Sequence, residues 1–147
     1  MTAKKLVPLA HGTLNHCFGC GLENRTGLRL RFFVDADRRI VSYVRIPRRF
    51  EGPPGHAHGG VIATLLDEAM SKSNRQFGIV AMTRHMEIDY LKPVPLLTPL
   101  TLTASRVSIA GRQHRCEAQI CGVSNTVLAR GRALFIAVDP ATILKRA

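Results

Sequence analysis

Gly55-His56-Ala57-His58-Gly59-Gly60 leads into Val61-Ile62-Ala63-Thr64-Leu65-Leu66-Asp67-Glu68-Ala69-Met70-Ser71-Lys72-Ser73-Asn74-Arg75-Gln76-Phe77, the run whose reading decides the fold. At 100° per residue, Ile62, Leu66, Ala69, Met70, Ser73 and Phe77 fall on one side with Leu65 beside them. That apolar stripe predicts one long helix, from about Gly59 to about Phe77, packed on a sheet. A second face carries Glu68, Lys72 and Arg75. Glu68 and Lys72 are four apart in the favourable order, which predicts a solvent-facing ion pair. The third face holds Thr64, Asp67, Ser71 and Asn74, which are small and polar with one charge. A face of small groups suits close approach to another chain or a ligand, so Asp67 is the candidate for chemistry and Glu68 the candidate for solvent. An ordinary surface carboxylate satisfies the same wheel position equally well.

Upstream, Gly59-Gly60 opens the helix. The first N–H groups of a helix lack intrahelical acceptors and carry the positive end of its dipole. Glycine lets a carbonyl approach such donors closely. The pair is equally compatible with a simple turn.

The flanking sequence is strand-like. Gly27 to Val34 alternates Leu28, Leu30 and Phe32 with Arg29 and Arg31, and Arg39 to Ile46 is a second strand after the turn Asp35-Ala36-Asp37-Arg38. Four more runs follow the helix, at about 80–92, 98–108, 113–123 and 126–138, and are expected to form a meander. Two strands, one helix and four strands make an α+β domain of one helix on a six-stranded antiparallel sheet. The 147 residues fit a single domain, 1–147, with an irregular lead-in over 1–24.

Composition narrows the function. Lys and Arg number 21 against 10 Asp and Glu, a formal charge of +11, which favours polyanionic partners. The basic residues are scattered, and the few aromatics do not interleave with them as base-stacking surfaces require, so no nucleic acid is expected. The start of the chain has no apolar stretch adequate for a signal peptide, and no window reaches a membrane span, so a cytoplasmic setting without a membrane partner is expected. Four cysteines are then expected reduced. Cys17-x-x-Cys20, with His11 and His16 close by, has the spacing of half a zinc site. Cys116-x4-Cys121 lies in a strand and does not supply the other half, so a tight turn with buried thiols, and no metal, is the reading adopted. Thr83, His85, Glu87 and Asp89 alternate along one strand and are expected to share a face. There is no Gly-x-Ser-x-Gly elbow, P-loop or dinucleotide fingerprint.

His58-Gly59-Gly60 with an acid nine positions on, Asp67, resembles the hotdog-fold acyl-CoA thioesterases, the PaaI-like and 4-hydroxybenzoyl-CoA thioesterase-like branch in particular. Cys17-Phe18-Gly19-Cys20-Gly21 with Gly27-Leu28 is similar to the lead-in of a subset of that superfamily, and Glu51-Gly52-Pro53-Pro54-Gly55 resembles a loop of the human thioesterase superfamily members 4 and 5. The likeness spans roughly residues 16–138. It implies a hotdog fold, a hydrolase acting on acyl-CoA, no cofactor apart from the CoA of the substrate, and a homodimer or homotetramer with sites between protomers. It implies that Asp67 is general base or nucleophile, that the Gly59 N–H polarises the thioester carbonyl, and that Thr83 helps place the water. It implies substrate contacts at His58 and Gly60, with Arg84 and His85 beside Thr83; Arg84, Lys92 and Arg112 are the basic residues considered for the CoA phosphates. Some relatives carry an Asn about six residues before the HGG histidine, where this chain has Gly52 and Pro53. A non-catalytic acyl-CoA sensor on the same fold is the alternative.

Overall fold

A computed structural model describes residues 5–10 and 16–143. Among them, three short segments precede the long helix: strands β1 (Val7–Pro8), β2 (Phe33–Val34) and β3 (Ile40–Val44). Helix α1 (Gly59–Arg75) follows, then β4 (Ala81–Tyr90), β5 (Leu100–Ala110), β6 (Gln113–Cys121), β7 (Val127–Ala137) and a terminal turn of helix, α2 (Pro140–Ile143). The strands form one antiparallel sheet of seven, not six, in the order β1-β2-β3-β5-β6-β7-β4. The extra strand comes from the lead-in expected to be irregular: Val7 and Pro8 pair with Val34 and Phe33 at the sheet edge, where proline's missing N–H costs nothing.

The helix begins where the sequence places it. His58 is extended (φ −62°, ψ 140°), and its Nδ1 accepts the Gly60 N–H at 2.9 Å. Gly78, at φ 74°, ends the run in the left-handed region that glycine tolerates. Ile62, Leu65, Leu66, Ala69, Met70 and Ser73 are buried, and α1 packs on β3 to β7. Gly131 on β7 lies under this contact, where a Cβ would stand 3.5 Å from both Leu66 Cδ1 and Met70 Cε, within ordinary van der Waals range.

Four expectations are corrected. The first strand shrinks to Phe33–Val34 because Arg29 turns to φ 52° and Leu28 and Leu30 donate to the Phe18 and Gly19 carbonyls instead of a ladder. The alternation still orients the side chains, burying Leu30 and Phe32 and exposing Arg31. The four strands after the helix are not one meander: β4 pairs with β7 and leaves its other edge open. Adjacency along the chain is a common rule of strand pairing, not a binding one. Phe77 leaves the apolar stripe, because the helix ends at Arg75; the residue is 41% exposed, and its ring lies under the guanidinium groups of Arg106 at 4.0 Å and Arg38 at 5.4 Å.

The fourth correction concerns the face expected to be solvated. Lys72 is 3% exposed. Glu68 keeps only 14% of its side chain exposed, and its Oε1 lies 3.3 Å from Lys72 Nζ. The lead-in covers them, with the Cys17–Cys20 turn lying over Glu68 and the Phe32 ring 5.9 Å from the Lys72 ammonium. A helical wheel registers only the helix's own residues, so a covering loop is invisible to it.

Candidate active site

Gly59 and Asp67 lie on the same helix, eight residues apart. Their spacing is therefore about 12 Å along the axis at 1.5 Å per residue. Within the first turn the donors are allotted. The Gly60 N–H goes to His58 Nδ1, and the Val61 and Ile62 N–H groups go to the His58 carbonyl. Among the described hydrogen bonds the Gly59 N–H has no acceptor. Of the glycine pair, Gly59 is thus the available donor, while Gly60 and His58 are tied together as a cap. Tyr90 lies over this end: its hydroxyl donates to the Gly59 carbonyl at 3.1 Å, and a Cβ on Gly59 would stand 3.7 Å from its ring. Nothing in the sequence pattern marked Tyr90, because it meets Gly59 only when β4 runs back along the helix.

At the other end of the same strand, the Thr83 hydroxyl donates to Asp67 Oδ1 at 2.5 Å. Asp67 is half-buried. Burial pushes its carboxyl above the ordinary carboxylate range; the Thr83 hydrogen bond pulls it down, and the charge of Glu68 adds to the rise. Strand and helix therefore hold the carboxylate from two sides.

Thr83 does not share a face with His85, Glu87 and Asp89. The β4–β7 register shifts between Thr83 and His85, so Arg84 is an extra residue in the strand. A bulge inverts the alternation beyond it. Thr83 and Tyr90 meet the helix, whereas His85 lies beside Glu87 at 3.4 Å on the sheet's outer side. Glu87 and Asp89 line a polar concavity there with Arg39, Glu117, Arg130 and Arg132. The structure thus brings together Asp67 and Thr83, and separately Gly59, Gly60 and His58, but does not bring His85 to either group. Arg84 is exposed at the bulge. Lys92 is exposed beyond β4, and Arg112 donates to the Ala137 carbonyl at 3.0 Å at the far hairpin.

The loop before the helix explains the absent Asn. A Cβ on Gly52 would lie 2.7 Å from His58 Cα, so no side chain fits there. Glu51 is engaged as well, its Oε1 accepting the Gly55 N–H at 2.7 Å. His11, one of the histidines considered as a metal ligand, lies outside the described residues. His16 is 3.6 Å from Glu23. The Cys17-x-x-Cys20 segment is a tight turn closed by the Gly21 N–H on the Cys17 carbonyl at 2.9 Å, with Cys20 buried and Cys17 half-buried.

One long helix held in a large antiparallel sheet, with an N–H at the helix start that has no acceptor among the described residues and a tethered carboxylate on its flank, defines a hotdog domain. The profile of the Thioesterase superfamily matches residues 54–129, just over half of the 147. The chain belongs to that superfamily. It is 34% identical over 125 residues to the acyl-coenzyme A thioesterase THEM4 of Rattus norvegicus, covering 84% of this chain and 54% of the relative. The THEM4 of Mus musculus is also 34% identical, over 74% of this chain and 47% of its own. The chain thus spans about half the length of the curated relatives it matches. Among solved structures, a thioesterase superfamily protein superposes with a TM-score of 0.79 at 29% identity, over 92% of this chain and 68% of its own. A Bacillus halodurans protein crystallised with CoA gives 0.67 at 29% identity, over 76% of each chain. The PaaI protein of E. coli gives 0.70 at 19% identity over 76% of this chain and 81% of its own, which speaks for the fold.

Proposed function

We propose that the protein hydrolyses acyl-CoA thioesters as a homodimer, with Asp67 of one copy acting on a carbonyl held by the Gly59 N–H of the other. The observation that carries this reading is Asp67 itself: a half-buried carboxylate, raised in pKa, fixed by Thr83 on a flank of small side chains. A raised carboxylate pKa makes the group a stronger base, which suits it to take a proton from water. About 12 Å of helix between Asp67 and Gly59 is too far for both to act on one carbonyl, so a second copy supplies the missing half. The open edge of β4, ten residues long, offers a place for that copy to pair. The THEM4 relatives are named acyl-coenzyme A thioesterases, and the Bacillus halodurans structure holds CoA, which supports this class of substrate. The +11 charge would draw in the CoA phosphates. Among the described residues no helix is long and apolar enough to cross a membrane.

As base, Asp67 takes a proton from water, whose oxygen attacks the thioester carbon. As nucleophile, its own oxygen attacks, and water opens the resulting anhydride. In either route the negative charge develops on the carbonyl oxygen, where the Gly59 N–H and the helix dipole stabilise it. The carbon–sulfur bond then breaks and CoA leaves as its thiol after taking up a proton.

A panel of short, long and aromatic acyl-CoAs, read by release of free thiol, tests the function. At least one member should turn over well above the uncatalysed rate. Binding across the panel with no thiol release would establish an acyl-CoA sensor instead. Thr83→Ala removes the hydrogen bond that lowers the Asp67 pKa, so the acid limb of kcat/KM should move to higher pH. A limb that stays in place or moves down would remove Thr83 from the site.

A further inference from the structure

The lead-in turn carries a group that hydrolysis does not use. Cys17 and Cys20 lie across α1 with both sulfurs and a Glu68 oxygen within 4.8 Å of one another. Cys17 Sγ is 3.8 Å from each Glu68 oxygen, and Cys20 Sγ is 3.2 Å from Lys72 Nζ. The two sulfurs differ in access: Cys17 is half-buried and Cys20 is 0% exposed. Gly19 between them has no room for a side chain, since a Cβ would sit 2.6 Å from Glu68 Oε2.

Two Cys ligands and a carboxylate are a donor set for a soft dication. Here the cation's place is taken. The Lys72 ammonium is buried against both Cys20 and Glu68, and a metal bound to either would face it at close range. An accessible thiol beside a buried one is instead the arrangement of a dithiol that is attacked at one sulfur and resolved by the other.

We propose that Cys17 and Cys20 are a reversible redox couple, oxidised to an intrachain disulfide by peroxides or by small-molecule disulfides. The Cys17 thiol is pulled down to about 6, chiefly by its hydrogen bond with the Cys20 side chain and with help from the Cys20 and Gly19 N–H groups, against its own burial and the nearby Glu68 charge. The Cys20 thiol is pushed up, first by the same hydrogen bond and then by burial. Cys17, the accessible sulfur of the two, is therefore the one that reacts first. With peroxide, its sulfur attacks one oxygen, the O–O bond breaks, hydroxide leaves and a sulfenic acid forms. Cys20 sulfur then attacks Cys17 sulfur, the S–O bond breaks, and the departing oxygen leaves as water with the Cys20 proton. Two thiols and one hydrogen peroxide become one disulfide and two waters. With glutathione disulfide, Cys17 forms a mixed disulfide, and Cys20 displaces glutathione as its thiol.

The test uses the whole protein equilibrated in buffers of graded glutathione to glutathione disulfide ratio. Free thiols are then trapped by alkylation, and the peptide containing Cys17 and Cys20 is weighed. The wild type should pass from two alkylated thiols to a species lighter by two hydrogens than the dithiol peptide, with Cys116 remaining a thiol. Cys20→Ser should accumulate glutathione on Cys17, which the wild type resolves; Cys17→Ser should take up none. A wild-type peptide that stays doubly alkylated in glutathione disulfide and in hydrogen peroxide would overturn the proposal. So would one equivalent of bound zinc that protects both thiols. The wild-type measurement decides the matter even if a variant fails to fold.

Discussion

Asp67→Asn is expected to lower thioester turnover about 1,000-fold, within the range carried by a general base, and by more if the carboxylate is the nucleophile. The substitution keeps the shape of the side chain and the hydrogen bond to Thr83, so the loss should fall on kcat with little change in KM. It should not cost stability. Asp67 titrates in the fold above its ordinary value because burial disfavours its charge. Such a group stabilises the fold below its unfolded pKa, and that contribution is lost as pH rises through the folded pKa. At neutral pH the ionised carboxylate is thus a burden, and Asn removes it. Melting at pH 7 should stay level or rise while turnover disappears, and the gap between variant and wild type should close as pH falls and Asp67 protonates. Turnover within threefold of wild type would end the assignment of Asp67. A collapse in melting temperature would instead give the carboxylate a structural role.

The second large effect is on stability. Lys72→Met should destabilise the protein by about 3–5 kcal/mol, the usual result of stranding one member of a buried ion pair. Methionine matches the length of the lysine stem, so packing against Phe32 is retained, but Glu68 is left under the Cys17 turn without its ammonium 3.3 Å away. For a chain of this size the melting temperature should drop by about 10 °C or more. Replacing both charges, Lys72→Met with Glu68→Leu, should recover most of the loss, because a buried pair roughly cancels its own desolvation. Thermal melts of the wild type, the single and the double variant provide the comparison. A single-variant loss under about 1 kcal/mol would mean that the pair behaves as an exposed one.

That pair also marks the boundary between what could be read from the chain and what could not. The sequence alone determined the helix start near Gly59, the apolar stripe through Ile62, Leu66, Ala69, Met70 and Ser73, and the strand count after the helix. Each of these depends on residues near one another along the chain: a glycine pair before an apolar run, a period of 3.6, an alternation of two. The tertiary structure decided the rest, because it depends on which distant segments meet. It decided that β4 pairs with β7 and not β5. It decided that one extra residue at Arg84 turns Thr83 toward Asp67 and His85 away, a shift no alternation rule contains. It brought Tyr90 onto Gly59 across 31 residues. It also laid the Cys17 turn over Glu68 across 51 residues, converting an expected solvent-facing ion pair into a buried one. Periodicity shows which side of an element is apolar. Only packing shows what covers the side that is polar.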